Sequence, residues 1–170
     1  MVEMLGYFGD KVMSTLKVGT IQDHTNSTTA ISIDSGGRVT QPAKPAFTVS
    51  CTSGSVLAGG DIVFDLAHIN NGNHYNTSNG RFTAPVSGLY FFCWSLLHET
   101  IDGRSGSFYF KVNGSQAPST TNGFFDQSND DYRANTTWNQ ILNLTAGQYV
   151  QCYSSVQTYR TNHAWSGFLI

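Results

Sequence analysis

The chain has 170 residues, of which 39% are hydrophobic and 13% aromatic, enough for one packed domain and a further segment. Only 12% of the residues are charged and the formal net charge is −2, which argues against nucleic acids and anionic membranes as partners. A surface of uncharged polar residues and glycine is therefore expected, and such a surface is typical of extracellular assemblies and virion proteins.

The three cysteines, Cys51, Cys93 and Cys152, lie in strand-like patterns of alternating apolar residues. Their number is odd, and none is close enough in sequence to another to resemble a metal-binding pair. A free cysteine behaves as a small apolar core residue. We therefore predict buried free thiols rather than a disulfide framework.

The N-terminal quarter of the chain differs in composition from the rest. Residues 1–20 contain spaced apolar side chains but no secretory signal pattern, and a short helix and an extended docking segment both fit them. Residues 19–45 are polar, with one strand-like island at Ala30–Asp34 and a turn at Ser35–Gly37. Because this stretch has too few apolar residues for its own core, we predict an extended N-terminal anchoring arm over residues 1–44.

An all-β domain is predicted over residues 45–170, because short stretches of alternating apolar and polar residues are separated by turn signals. Asn113-Gly114 is a two-residue hairpin signal. The turn Thr145–Gln148 is expected to join residues 138–144 and 149–156 as a second hairpin.

The strongest apolar run, residues 89–97, breaks this alternation because both sets of alternating side chains are apolar. Phe92 and its alternate neighbours face one side of a strand, whereas Phe91 and Cys93 face the other. Neither side suits water. We predict that an opposing sheet covers one side and a partner subunit covers the other.

Eight short motifs follow one another in order through the predicted domain. They are Pro45–Phe47, Phe64–Asp65, Asn73–Tyr75, Gly80–Thr83, Pro85–Phe92, Val112–Gly114, Leu144–Gln148 and Ser166–Leu169. Together they resemble the globular head of complement component 1q, a family structurally allied to tumour necrosis factor. The resemblance implies a ten-stranded antiparallel jelly-roll sandwich that assembles as a homotrimer.

The same resemblance implies roles for individual side chains. It places the following residues in the sandwich core: Phe47, Phe82, Tyr90, Phe92, Trp94 and Phe168. It places Phe91, Cys93 and Trp165 at the trimer interface, on the threefold axis. The alternative is that both sets pack within one thick monomeric core.

The predicted arm also resembles known segments. Val18–Asp23 and Ala30–Pro42 are similar to the arms that precede such heads in structural proteins of tailed bacteriophages, and no collagen-like Gly-X-Y stalk is present. This resemblance implies a protein that is made in the host cytoplasm and displayed on the virion.

Polar residues 116–133 are expected to form a long surface loop that carries the densest acidic cluster. Asp126, Asp130 and Asp131 are candidate ligands for Ca²⁺, since this cation prefers carboxylate oxygens. The usual calcium-loop pattern is not completed, so a solvated loop is the alternative. No other metal or cofactor is predicted.

The sequence shows no pattern typical of a catalytic site. Ser87 lacks the first glycine of a nucleophile elbow, and the sequence has no phosphate-binding loop or zinc motif. The five histidines are dispersed, and each is read as a loop or strand-edge residue. We therefore predict that the protein is not an enzyme.

The preferred functional hypothesis is a trimeric virion structural protein, with capsid or tail proteins as partners and the head displayed as a capsid decoration or cement protein. One alternative is a tail-fibre head that binds a host-surface glycan, and another is a free recognition lectin. Tyr132, Tyr153 and Tyr159 are candidates to stack on a sugar, whereas the alternative is that they only cover a sheet, as strand tyrosines usually do.

Overall fold

A computed structural model describes residues 16–52, 59–98, 105–118, 123–126, 134–158 and 163–170. The chain divides into two compact units, Met1–Ala43 and Lys44–Ile170. Every regular element in the described ranges is a β-strand, which confirms the all-β class. These ranges contain no helix that is long and apolar enough to cross a bilayer.

The first unit contains a small antiparallel sheet. Its strands are β1 (Thr20–Gln22), β2 (Thr29–Ile33) and β3 (Val39–Thr40), in the order β1-β2-β3. The predicted island at residues 30–34 largely coincides with β2. The predicted extended arm is thus locally folded here, because turn residues return the chain onto itself.

Asp34 organises the turn between β2 and β3. Its Oδ1 accepts hydrogen bonds from the backbone N–H groups of Gly36 (2.8 Å) and Arg38 (3.0 Å), and its Oδ2 accepts one from Arg38 Nε (2.7 Å). The backbone N–H and then the guanidinium of Arg38 lower the pKa of Asp34, because both stabilise the carboxylate. Gly37 adopts a φ of 75°, which a residue without a side chain accepts at no steric cost.

The second unit contains two antiparallel sheets. The five-stranded sheet has the order β13-β9-β15-β4-β6, and the larger sheet has the order β11-β10-β14-β8-β7, with β12 on β10 and β5 on β14. The strands are β4 (Ala46–Ser50), β5 (Gly60–Ile62), β6 (Leu66–Asn71), β7 (Tyr75–Asn76), β8 (Arg81–Thr83), β9 (Gly88–His98), β10 (Ser105–Val112), β11 (Ser115–Gln116), β12 (Gly123–Asp126), β13 (Ala134–Leu144), β14 (Tyr149–Ser154) and β15 (Ala164–Leu169). The described ranges therefore hold twelve strands in this unit, rather than the predicted ten.

The two predicted hairpins have different outcomes. Asn113 and Gly114 have φ values of 50° and 82° and join β10 to β11 as a two-residue turn that pairs Val112 with Ser115. The prediction for Thr145–Gln148 is wrong, because β13 pairs with β9 in one sheet and β14 pairs with β10 in the other. This turn carries the chain from one sheet to the other. The predicted surface loop also contains the short strands β11 and β12.

The two sheets pack face to face through aromatic rings. Phe47 of the five-stranded sheet stacks on Phe82 of the larger sheet with ring centroids 4.9 Å apart. Trp94 meets Phe108 edge-on at 5.7 Å. Each aromatic pair contributes roughly 0.5–1.5 kcal/mol beyond the burial of its surface. This layer of rings is the centre of the core.

Tyr75 and Asn70 tie the two sheets together at one edge. The Tyr75 hydroxyl accepts a hydrogen bond from Phe64 N–H (3.2 Å) and donates one to Phe64 O (3.0 Å). The Asn70 amide bonds both the N–H and the C=O of Tyr75. Burial raises the pKa of Tyr75 far above its ordinary value, so this phenol remains a hydrogen-bond donor.

Five of the six residues predicted to form the core are buried, and one is not. Phe47, Phe82, Tyr90, Phe92 and Trp94 are all buried between the sheets. Phe168 is not part of the core, because it is 42% exposed on the opposite side of its sheet.

Trp165 is also placed differently from the prediction. It is fully buried and packs edge-on against Phe47 with ring centroids 4.8 Å apart, so it belongs to the core rather than to an interface. The reason is the register of β15, which pairs Trp165 with Trp94 and Phe168 with Phe91. Direct cross-strand partners share one face of a sheet.

Gly167 generates a prediction about core packing. A Cβ atom at this position would lie 2.5 Å from Phe92 Cδ1 and 2.7 Å from Phe47 Cε1, which is closer than van der Waals contact with either ring. We expect Gly167→Ala to lower the free energy of unfolding by about 1–3 kcal/mol, measured by denaturant titration. The control is Gly19→Ala, where the added methyl group meets no atom within 4 Å. Equal unfolding curves for Gly167→Ala and wild type would contradict this packing.

Candidate functional site

The side of the five-stranded sheet that points away from the core is here called the outer face. A row near one end of this face consists of Ile141, Phe91, Phe168 and Ala46, which are successive cross-strand partners. The rings of Phe91 and Phe168 lie 5.5 Å apart at an angle of 44°. Ile141 is 56% exposed. A contiguous apolar row therefore faces away from the core.

Across β13, β9, β15 and β4 the outer face becomes more polar along the strands, whereas the edge strand β6 carries the exposed Ile69 opposite Thr48. In the next row, Ser166 lies opposite Cys93, and its Oγ is 3.2 Å from Thr48 Oγ1. One row further, Ser95 donates a hydrogen bond to Asn135 Oδ1 at 2.8 Å. The apolar end of the outer face is therefore the end at which β9 begins and β13 ends.

That apolar end lies beside the two ends of the second unit. The backbone N–H of Ile170 donates to Leu89 O at 2.8 Å, and the side chains of both residues are exposed. Lys44 Nζ lies 5.9 Å from the centre of the Phe168 ring, within the range of a cation–π contact. The residues that enter and leave this unit thus frame the apolar row.

A groove runs beside Ile141 along the edge of the sandwich. It has a volume of about 270 Å³ and is lined by Val112, Pro118, Ile141, Leu142, Asn143, Leu144 and Gln148. Beside the groove, Gln140 Nε2 donates to Pro118 O at 2.9 Å, which ties β13 to the segment after β11. Because β13 ends the sheet order, the groove and the outer face meet along this strand.

The outward side of the larger sheet has a different chemistry. Tyr109 and Tyr153 are cross-strand partners whose rings stack at 4.7 Å, and Lys111 Nζ lies 5.4 Å from the Tyr153 ring. Lys111 is also paired with Asp61 at 2.7 Å. Burial, and then the neighbouring Tyr153, raise the pKa of Tyr109. This patch, here called the tyrosine patch, combines aromatic rings with neutral hydroxyl groups and a paired charge.

The predicted calcium site lies largely outside the described residues. Asp126 ends β12, whereas Asp130 and Asp131 lie outside the described residues. Within the described ranges, no group of three acidic, histidine or cysteine side chains is arranged to hold a metal ion. Tyr132 and Tyr159 also fall outside these ranges.

The cysteines are free thiols in three different environments. Cys152 is fully buried, and burial raises its pKa well above the ordinary value. Cys93 and Cys51 are half-buried, so the prediction of three buried thiols is correct only for Cys152. Cys93 lies on the outer face and Cys51 at the other end of the core.

Sequence reasoning missed two residues of the outer face, Phe168 and Ile141. Ile141 had a detectable signal, because it is the one large apolar side chain among the exposed positions Asn135, Thr137, Asn139 and Asn143 of the same strand. An apolar residue in an otherwise polar exposed series marks a local contact surface.

The second unit, here also called the head, matches a known family and known relatives. The family model described as C1q domain matches residues 46–170. Complement C1q tumor necrosis factor-related protein 2 of mouse is 31% identical over 138 residues, which cover 75% of this chain and 44% of the relative. The human protein of the same name is 31% identical over 137 residues, covering 75% and 45%. The chain thus spans less than half the length of these relatives.

A solved structure shows the same fold. The globular domain of zebrafish complement 1qA protein is similar with a TM-score of 0.57 and 18% sequence identity, covering 75% of this chain and 97% of that domain. At this level of identity the likeness concerns the fold alone.

These comparisons correct the predicted location and define the family. The virion assignment is wrong, since the matched relatives are eukaryotic complement C1q tumor necrosis factor-related proteins. It depended on two short segments of the arm, which lie in the small sheet of β1, β2 and β3. Because the C1q-domain model matches more than half of its residues, the chain belongs to the C1q-domain family.

Proposed function

We propose that the protein is a non-enzymatic recognition and structural module that acts as a homotrimer, with the outer face as the contact between its three copies. The observation that carries this proposal is the outward-facing row in which the half-buried Phe91 lies between the exposed Ile141 and Phe168. Soluble monomers rarely present contiguous large apolar side chains to water. Membership of the C1q-domain family supports the same reading.

Threefold symmetry places a condition on this contact. A ring of three identical chains needs two different complementary patches on each chain, because each contact joins one patch to the other. The outer face supplies one patch, and the groove beside β13 supplies a second that is also largely apolar. Such an obligate interface would bury roughly 2,000 Å² or more in total.

The trimer would leave the tyrosine patch open to ligands. Its cation is paired with Asp61, so a neutral polar ligand fits it better than a strongly charged one. Sugar rings combine apolar C–H groups with hydroxyls, which match the rings and phenol groups of Tyr109 and Tyr153. Three patches in one trimer would raise avidity for a repeating glycan. Binding on a glycan array that is lost in Tyr153→Ala would support this role.

A substitution on the outer face tests the trimer. We expect Phe168→Asp to convert the trimer into monomers or aggregates, because the contact would lose three phenyl rings and bury three carboxylates, whose desolvation costs more than the attraction of the nearby Lys44 returns. Light scattering coupled to size exclusion measures the mass. The control is Val86→Asp, a comparably exposed apolar residue in the turn before β9, which should remain trimeric. A Phe168→Asp variant that still elutes as a trimer would refute the proposed interface.

Residues 1–43 are proposed to be a tether that connects the trimeric head to other components. The core of the second unit is built without them, since its buried hydrophobic residues lie between Phe47 and Trp165. We expect a chain of residues 44–170 to remain folded and trimeric, with a midpoint of thermal unfolding close to that of the full chain. Light scattering and circular dichroism provide the measurements. A monomeric or unfolded product would show instead that the first unit is needed for assembly.

A further inference from the structure

A cysteine and a histidine lie side by side at the end of the core. Cys51 follows β4 and continues the inward-facing series of Phe47 and Val49. His163 precedes β15 and continues the inward-facing series of Trp165. Because β4 and β15 are neighbours, the two side chains meet, with Cys51 Sγ 3.9 Å from His163 Nδ1.

The other ring nitrogen of His163 determines the role of Nδ1. His163 Nε2 lies 3.2 Å from the carbonyl oxygen of Leu97, which only accepts hydrogen bonds. Nε2 must therefore carry a proton, and in the neutral ring Nδ1 is a lone-pair acceptor that faces the thiol. His163 is only 2% exposed, so bulk water competes little for Nδ1. Val63 O, at 3.5 Å from Sγ, is another acceptor for the thiol.

The geometry points to Cys51 as a modification site, a nucleophilic thiol that reacts with small uncharged soft electrophiles while His163 acts as its base. With an alkyl iodide, the S–H proton moves to Nδ1, the sulfur forms a bond to carbon, and iodide leaves with the electron pair of the C–I bond. The resulting imidazolium keeps its Nε2–H bond to Leu97. The partial exposure of Cys51 provides access for the reagent.

The other two thiols lack this arrangement and serve as internal references. Cys152 is fully buried, and Cys93 lies on the outer face, where the proposed trimer would cover it. Cys51 faces inward and stays outside that contact. The inference does not depend on the trimer, since the pair lies within one chain.

The test compares the full-length wild-type protein with His163→Gln. Both are treated with iodoacetamide at neutral pH, and the alkylation rate of each cysteine is followed by peptide mass spectrometry. The glutamine amide keeps an N–H donor for Leu97 O but provides no base. We expect the Cys51 rate to fall by about tenfold or more, since general-base assistance commonly contributes at least that factor, with Cys93 and Cys152 unchanged. Equal Cys51 rates in the two proteins would overturn the inference.

A second comparison needs no variant and decides the matter if His163→Gln fails to fold. Partial burial alone lowers the alkylation rate of a thiol relative to the unfolded chain, whereas a positioned base raises that rate. We expect wild-type Cys51 to react faster in the native protein than in guanidinium-unfolded protein. A slower native rate would overturn the inference. Light scattering on the same samples reports the trimer separately, so failure of the proposed assembly and failure of this site are distinguishable.

Discussion

The pairing of β9 with β15 is the constraint on which the rest of the second unit depends. It places Trp165 beside Trp94 on the core side and Phe168 beside Phe91 on the outer side. A shift of one residue would move every side chain of β15 to the other face. Such a shift would expose an indole ring and force Phe168 into a core without space for it. The aromatic layer and the proposed assembly surface are therefore two results of one register.

Much of this arrangement was predictable from the residues. The motifs from Pro45 to Leu169 indicated the family, and the two apolar sides of residues 89–97 indicated two different coverings. The predicted orientation of β15 is wrong, because Trp165 faces the core and Phe168 faces outward. Trp165 and Phe168 are three positions apart and must face opposite ways, but a two-residue period does not say which one faces inward. Only pairing with Trp94 and Phe91 decides that.

Other features depend on contacts between distant segments, which a local pattern does not contain. Asn113-Gly114 specifies its own turn, because both residues accept a positive φ. Thr145–Gln148 is also a genuine turn, but nothing in its residues says that the strands on either side join different sheets. The contact between Cys51 and His163 also joins residues that are far apart in sequence. Dispersed histidines appeared uninformative because their neighbours come from other strands.

The position of β15 has a consequence for how the protein is made. In the sheet order β13-β9-β15-β4-β6, the last strand along the chain lies in the middle and separates β4 from β9. The five-stranded sheet is therefore incomplete until residue 169 has left the ribosome, whatever has formed before. Long-range strand pairing of this kind is slow. Until then, β4 and β9 each have an unpaired edge where β15 will lie. A chaperone that shields these two edges would have its greatest effect during that interval.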